Sequence, residues 1–205
     1  MRYKIITLLI IVSIALNVNS QNSRIGISLS NNVTSFPVLG YQQLFYSQFH
    51  PGLDCFKSWK LNKNEKSIVE VQANAGFFYH RFVQTVIRIY PSVSYSRKLG
   101  KRFYLGAGLG AGYAMAFVGN DVFKLNAEGV YEKKSSLKGR SQYIVNFEIK
   151  GSYNIKKDEP DGKKIFFAFK TFVQGTFVPG YVPVLPVNSL FVGISIPLKS
   201  KENEK

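Results

Sequence analysis

Residues Phe103 to Phe117 read FYLGAGLGAGYAMAF, and the stretch divides into two faces at a period of two. Phe103, Leu105, Ala107, Leu109, Ala111, Tyr113, Met115 and Phe117 make one face, and Tyr104, Gly106, Gly108, Gly110, Gly112, Ala114 and Ala116 make the other. That period belongs to a β-strand, in which successive side chains point to opposite sides of a sheet. An apolar face with aromatics at both ends suits hydrocarbon bounded by two interfaces. A face of glycine and alanine suits the crowded inside of a narrow closed barrel.

Seven further segments carry the same period. Arg24 to Ser30 sets Ile25, Ile27 and Leu29 against Gly26, Ser28 and Ser30, and Leu53 to Leu61 is weaker because Lys57 interrupts its apolar face. In Ser67 to Arg81, Val69, Val71, Ala73, Ala75, Phe77 and Tyr79 oppose Glu70, Gln72, Asn74, Gly76 and His80. Val86 to Ser96, Ser141 to Asn154, Ile165 to Phe177 and Ser189 to Lys199 complete the set. Ile165 to Phe177 is aromatic on both faces, with Ala168, Lys170, Gln174 and Thr176 expected inside. Each segment approaches the roughly 9 to 11 residues that a tilted membrane-spanning strand needs. The expected fold is therefore all-β: a closed antiparallel up-and-down transmembrane β-barrel of about eight strands. A soluble antiparallel sandwich or barrel alternates in the same way, but it would bury the apolar face.

The links agree with a spanning barrel. Asn62 to Lys66, Arg97 to Arg102 and Ile155 to Lys164 are short or moderate, whereas Asn31 to Gly52 and Val118 to Arg140 are long. Short turns belong on the periplasmic side and long loops outside. His80 to Thr85 is a short external turn, and the Val178 to Asn188 link, with Pro179, Pro183 and Pro186, is expected to be stiff and extended.

At the amino terminus, Arg2 and Lys4 precede an apolar run from Ile5 to Leu16, followed by polar Asn17, Asn19 and Ser20. This is the pattern of a secretory signal peptide, and the run is too short to span a bilayer as a helix. The expected organisation is a signal peptide at 1–20, an outer-membrane barrel at 21–199 and a charged periplasmic tail at 200–205. The formal net charge is +15. Export argues against a nucleic-acid partner, and so does placement, because the basic residues gather in the short links, where they would meet anionic head groups or simply solvate turns. Cys55, the single cysteine, excludes an internal disulfide and reads as a small filler on a strand.

Glu70, Arg88, Glu148, Lys150 and Lys170 fall on inward faces. Pairing the strands around 158–162 brings Glu148 and Lys150 near Lys170, and pairing the second and third strands brings Lys60 near Glu70. Arg88 is expected beside the glycine face of 103–117, where absent side chains leave room. Opposite charges inside a small barrel point to a filled interior, with these residues as structural core rather than a transport filter. His50 and His80, the only histidines, are expected at the outer rim. A barrel enzyme would need a nucleophile, base and orienting acid there, and Ser47 near His50 does not make that signature. No metal cluster or cofactor motif appears. The G-x-G spacing of LGAGLGAGY lies within one strand, whereas a dinucleotide loop must join a strand to a helix.

Several local motifs carry a resemblance. They are His50-Pro51-Gly52-Leu53, Tyr79-His80-Arg81, Leu109-Gly110-Ala111-Gly112-Tyr113, Val122-Phe123-Lys124-Leu125-Asn126 and Val182-Pro183-Val184-Leu185-Pro186. On these the chain resembles a family of small porin-like, OmpX-type outer-membrane β-barrel proteins of Gram-negative bacteria. The resemblance implies a fold and a location in the cell outer membrane, with no ligand, reaction or catalytic residue to carry over. The implied partners are outer-membrane lipids, lipopolysaccharide and the barrel-assembly machinery. The charged ending SKENEK departs from the aromatic terminal residue that often serves as the assembly signal. The functional expectation is a non-enzymatic integral protein with an envelope-structural, surface-interaction or small-solute passage role. The alternatives are a lipid-modifying enzyme and an adhesin or receptor acting through Val118 to Arg140.

Overall fold

The computed structural model describes residues 23–36, 40–64, 66–118, 122–126, 128–134, 139–157, 161–178 and 181–198. The expected signal peptide and charged tail lie outside these residues. Among the described residues there are ten strands: β1 (Ser23–Val33), β2 (Pro51–Lys60), β3 (Ser67–His80), β4 (Gln84–Leu99), β5 (Phe103–Phe117), β6 (Val122–Leu125), β7 (Tyr131–Lys134), β8 (Arg140–Asn154), β9 (Lys164–Val178) and β10 (Val182–Pro197), with a short helix α1 (Gln43–Tyr46) between β1 and β2. Eight of them close into an antiparallel barrel in the order β1-β10-β9-β8-β5-β4-β3-β2, and β6 and β7 form a separate hairpin. β1 and β10 seal the ring, with Arg24 opposite Pro197 and Val33 opposite Asn188. Closure leaves no strand edge in hydrocarbon, where an unpaired amide could find no partner.

The two faces separate as the sequence requires. On β1 Ile25, Ile27 and Leu29 are exposed, on β4 Ile87, Ile89, Val93 and Tyr95, and on β5 Phe103, Leu105, Leu109 and Tyr113. Their neighbours in sequence are inside, among them Ser28, Arg88, Ser92, Ser94 and Tyr104. A soluble sandwich would bury the apolar set; this fold presents it outward around the ring, far beyond the patches that water-soluble monomers tolerate. Cys55 joins that outward face on β2. Lys57 does too, with its ammonium 5.3 Å from the Trp59 ring, an arrangement in which a long side chain reaches toward the interface.

Four local features differ from expectation. β10 begins at Val182 rather than Ser189, so Pro183 and Pro186 sit in a strand and not in a link. Because β1 ends opposite Asn188, residues 182–187 pair with β9 alone, and a one-sided strand tolerates the missing proline N–H. The pairing of β9 and β10 slips between Val182 and Val184. A bulge resets the alternation, and Thr176, expected inside, is exposed.

Third, the glycine face of β5 is taken up by other residues than Arg88. A Cβ on Gly112 would lie 2.5 Å from Tyr90 Cβ, and one on Gly110 2.3 Å from Asn146 Oδ1, whereas Arg88 has its room at Gly76 of β3. Fourth, part of the long link after β1 folds down against the outside of the wall: Asn31, on the outward face of β1, donates through Nδ2 to the Leu44 carbonyl at 2.8 Å.

Candidate functional site: the filled lumen

The middle of the barrel is closed by two buried ion pairs set among aromatic rings. Arg88 on β4 donates from Nε to Asp54 Oδ1 at 3.2 Å, and from Nη2 to Oδ1 at 3.1 Å and Oδ2 at 2.9 Å. Gly76 makes this possible, since a Cβ there would lie 2.1 Å from Asp54 Oδ1 and 2.9 Å from Arg88 Nε. The guanidinium stands 4.0 Å from the centroid of Phe172, with Phe78 and Phe191 at 5.4 and 5.6 Å. A planar cation held by a bidentate carboxylate and covered by ring faces is the arrangement arginine suits better than lysine.

The second pair follows from the register of β8 and β9, in which Glu148 stands opposite Lys170. Lys170 Nζ lies 2.7 Å from Glu148 Oε2, and Lys150 Nζ lies 3.5 Å from Oε1. Lys170 also donates to Tyr90 Oη at 3.3 Å, and the Tyr90 ring meets Phe172 edge-on at 5.5 Å. Glu148, Lys150 and Lys170 thus come together as their positions predict. Like Arg24 and Lys164, Asp54 is a buried interior charge outside the expected set. Its signal was present: on β2 it shares the parity of Gly52, Phe56 and Ser58, opposite to Leu53 and Cys55.

Toward the short-turn end lies a polar recess of about 30 Å³, lined by Arg24, Glu70, Tyr104, Lys150 and Lys164 among others. Arg24 clasps the turn between β8 and β9, donating to the carbonyls of Asp161 at 3.0 Å and Gly162 at 2.6 Å. Lys164 Nζ sits 4.1 Å from the Tyr104 centroid. Glu70 faces this recess, and Lys60 is its cross-strand partner as expected.

At the opposite end the two histidines meet. The rings of His50 and His80 stack with centroids 3.6 Å apart and planes at 11°, and both residues are buried. Nothing in the sequence places residues 30 positions apart face to face; the register of β2 and β3 does so. Burial holds the His50 imidazole below its ordinary pKa. Ser47, by contrast, is exposed. Gln84, the cross-strand partner of His80, donates from Nε2 to Gln174 Oε1 at 2.6 Å across the lumen, and Asn32 Oδ1 accepts from Ser189 Oγ at 2.6 Å. The Gln84–Gln174 bond thus joins β4 to β9 across the lumen, whereas Asn32 and Ser189 join directly paired strands.

No protein-family model matches the chain, and sequence comparison with curated proteins finds no match. Solved structures do match in shape. Neisserial surface protein A is similar at a TM-score of 0.50 and 11% identity, covering 88% of this chain and 98% of that one. The outer membrane enzyme PagL gives 0.46 at 12% identity, covering 85% and 99%. Ail, the attachment invasion locus protein of Yersinia pestis, gives 0.46 at 12%, covering 86% and 97%. The likeness to Neisserial surface protein A, at 11% identity, speaks to architecture alone. With its eight-strand closure and its outward apolar belt, the chain has the fold of the small outer-membrane β-barrels.

Proposed function

We propose that the protein is a non-enzymatic, non-conducting integral protein of the outer membrane, exported by its amino-terminal signal, that serves the envelope as a rigid barrel and meets the surroundings through its external segments. The observation that carries this reading is the filled lumen. The Asp54–Arg88 and Glu148–Lys170 pairs, the rings of Phe78, Phe172 and Phe191 and the Gln84–Gln174 bridge occupy the path a solute would need. Buried pairs of this kind cost about as much to desolvate as they return, so they favour one closed packing over others more than they add stability. Of the expected roles, small-solute passage is the one this packing disfavours.

The test is electrical. Protein reconstituted into planar bilayers should give no steady single-monomer current, whereas large sustained currents would overturn the closed-lumen reading. One observation favours surface interaction as the more specific role. Outside the barrel, β6 and β7 pair only with each other, from Val122 opposite Lys134 to Leu125 opposite Tyr131, and the exposed side chains of Val130 and Tyr131 stand at that hairpin's turn. Binding to host-cell or matrix preparations that is lost when residues 122–134 are replaced by a short glycine-serine link would support it. Equal binding by both proteins would remove it.

A further inference from the structure

The outward row of side chains that starts at Val33 runs across paired strands through Asn188, Thr171, Phe147 and Leu109. Phe147 and Leu109 are exposed, as residues facing lipid should be, but Val33, Asn188 and Thr171 are buried on the same outer face, Asn188 completely (0% exposed). The cover is the segment after β1. Asn188 Nδ2 donates to Ser35 Oγ at 2.9 Å, to the Phe36 carbonyl at 3.0 Å and to the Ser35 carbonyl at 3.3 Å. Thr171 Oγ1 donates to Asn188 Oδ1 at 2.8 Å. Farther along, Asn31 Oδ1 accepts from the His50 amide at 3.0 Å, and Asn31 Nδ2 holds the Leu44 carbonyl.

An asparagine and a threonine on a lipid-facing row would be costly in hydrocarbon without partners. Here the covering segment and the pair itself supply them. That segment has two sides: Leu44 is buried against the wall, while Phe36, Tyr41, Phe45, Tyr46 and Phe49 are exposed, Phe45 and Tyr46 at 71% and 73%. From residue 34 to residue 50 the chain contains no Asp, Glu, Lys or Arg, although the whole chain is 19% charged. A loop standing in water would not be expected to gather aromatics and shed charge in this way, and the segment is tied to Asn31, from which the next outward cross-strand pair down the wall is the exposed Leu29 and Leu53 of the apolar belt.

We propose that residues 34–36 and 40–49 form a flap lying against the outer wall at the β1–β10 seam, with its exposed aromatic side inserted among the acyl chains of the outer leaflet. Membrane lipid is its partner, and phenylalanine and tyrosine act there as interfacial anchors. The inference rests on the reading that the barrel spans the membrane. The test keeps the two apart.

On a Trp59→Phe background, Phe45→Trp, Tyr46→Trp, Leu29→Trp and Tyr131→Trp are each reconstituted into phosphatidylcholine vesicles whose chains are brominated. Heat-modifiable gel migration establishes that each variant is folded. Fluorescence at positions 45 and 46 should be quenched nearly as strongly as at position 29 on the belt, and several-fold more than at position 131 on the β6–β7 hairpin. If position 29 is quenched while 45 and 46 behave like 131, the flap faces water and is free for a protein partner, which overturns the proposal. If position 29 itself escapes quenching, the spanning reading fails and the flap falls with it.

Discussion

At the level of single side chains, the Asp54–Arg88 pair is the point where the interior is most exposed to change. Removing one partner leaves a buried charge without its counter-ion, so Arg88→Met or Asp54→Asn alone should lower the unfolding free energy by about 3–5 kcal/mol. The paired replacement Asp54→Leu with Arg88→Met should recover most of that loss. Urea titration in vesicles, read by gel migration, measures both, and single variants as mild as surface substitutions would contradict the assignment. Gly76→Ala tests the same place from the backbone side. The added Cβ meets Asp54 Oδ1 at 2.1 Å, and forcing the pair aside should cost about 1–3 kcal/mol.

His50 supplies a pH dependence of defined sign. Its folded-state pKa is depressed by burial, so in acid the unfolded chain takes up the proton more readily than the folded one. This contribution is intact above about pH 6.5, the ordinary histidine value, and is lost as the pH falls below it. Protonation would also place charge against the stacked His80 ring. The stability of the parent protein should therefore decline between about pH 7 and pH 5, and His50→Phe should flatten that decline. A variant whose profile overlays the parent's would show that the stack plays no part.

At the level of elements, the strands were legible in proportion to how cleanly water-averse and polar residues alternate. β5 runs from Phe103 to Phe117 as its two faces demand, and the register that brings Lys170 to Glu148 follows from strand order and turn position alone. What the pattern could not show depends on departures from the period of two or on contacts between distant segments. The bulge near Val182 reverses the orientation of Thr176, and a proline-rich stretch that reads as a link becomes strand because only one side of it needs donors. Arg88 finds its space at a glycine on the neighbouring β3 rather than on β5, a choice that parity leaves open. The histidine stack and the flap join residues whose local sequence carries no mark of each other.

The hairpin β6–β7 is the element whose loss the barrel should tolerate best, since it is a separate two-stranded sheet. Replacing residues 122–134 with a short flexible link should change stability by no more than about 0.5 kcal/mol. A variant that fails to close into a heat-modifiable barrel would show that the hairpin contributes to the ring after all.

At the level of the whole molecule, the solvent that meets the outward face decides what holds the barrel together. In water the ring of exposed isoleucine, leucine, valine, phenylalanine and tyrosine would drive association, whereas in a bilayer it is the source of stability, while inside the barrel the buried ion pairs are packed among apolar side chains such as Phe78, Val86, Phe172 and Phe191. The filled middle follows from the size of the ring, because a closed barrel of this strand number leaves space for side chains and little else. Function is then expected at the surfaces that remain: the external hairpin, the flap at the β1–β10 seam and the basic turns at the opposite end.

The most direct measurement is fractionation of the native cell envelope followed by an alkaline carbonate wash. The protein should sediment with the outer membrane, resist the wash and migrate on gels at a position that shifts on heating. Recovery of the chain from the periplasmic fraction as a folded, monodisperse protein without detergent would contradict the account.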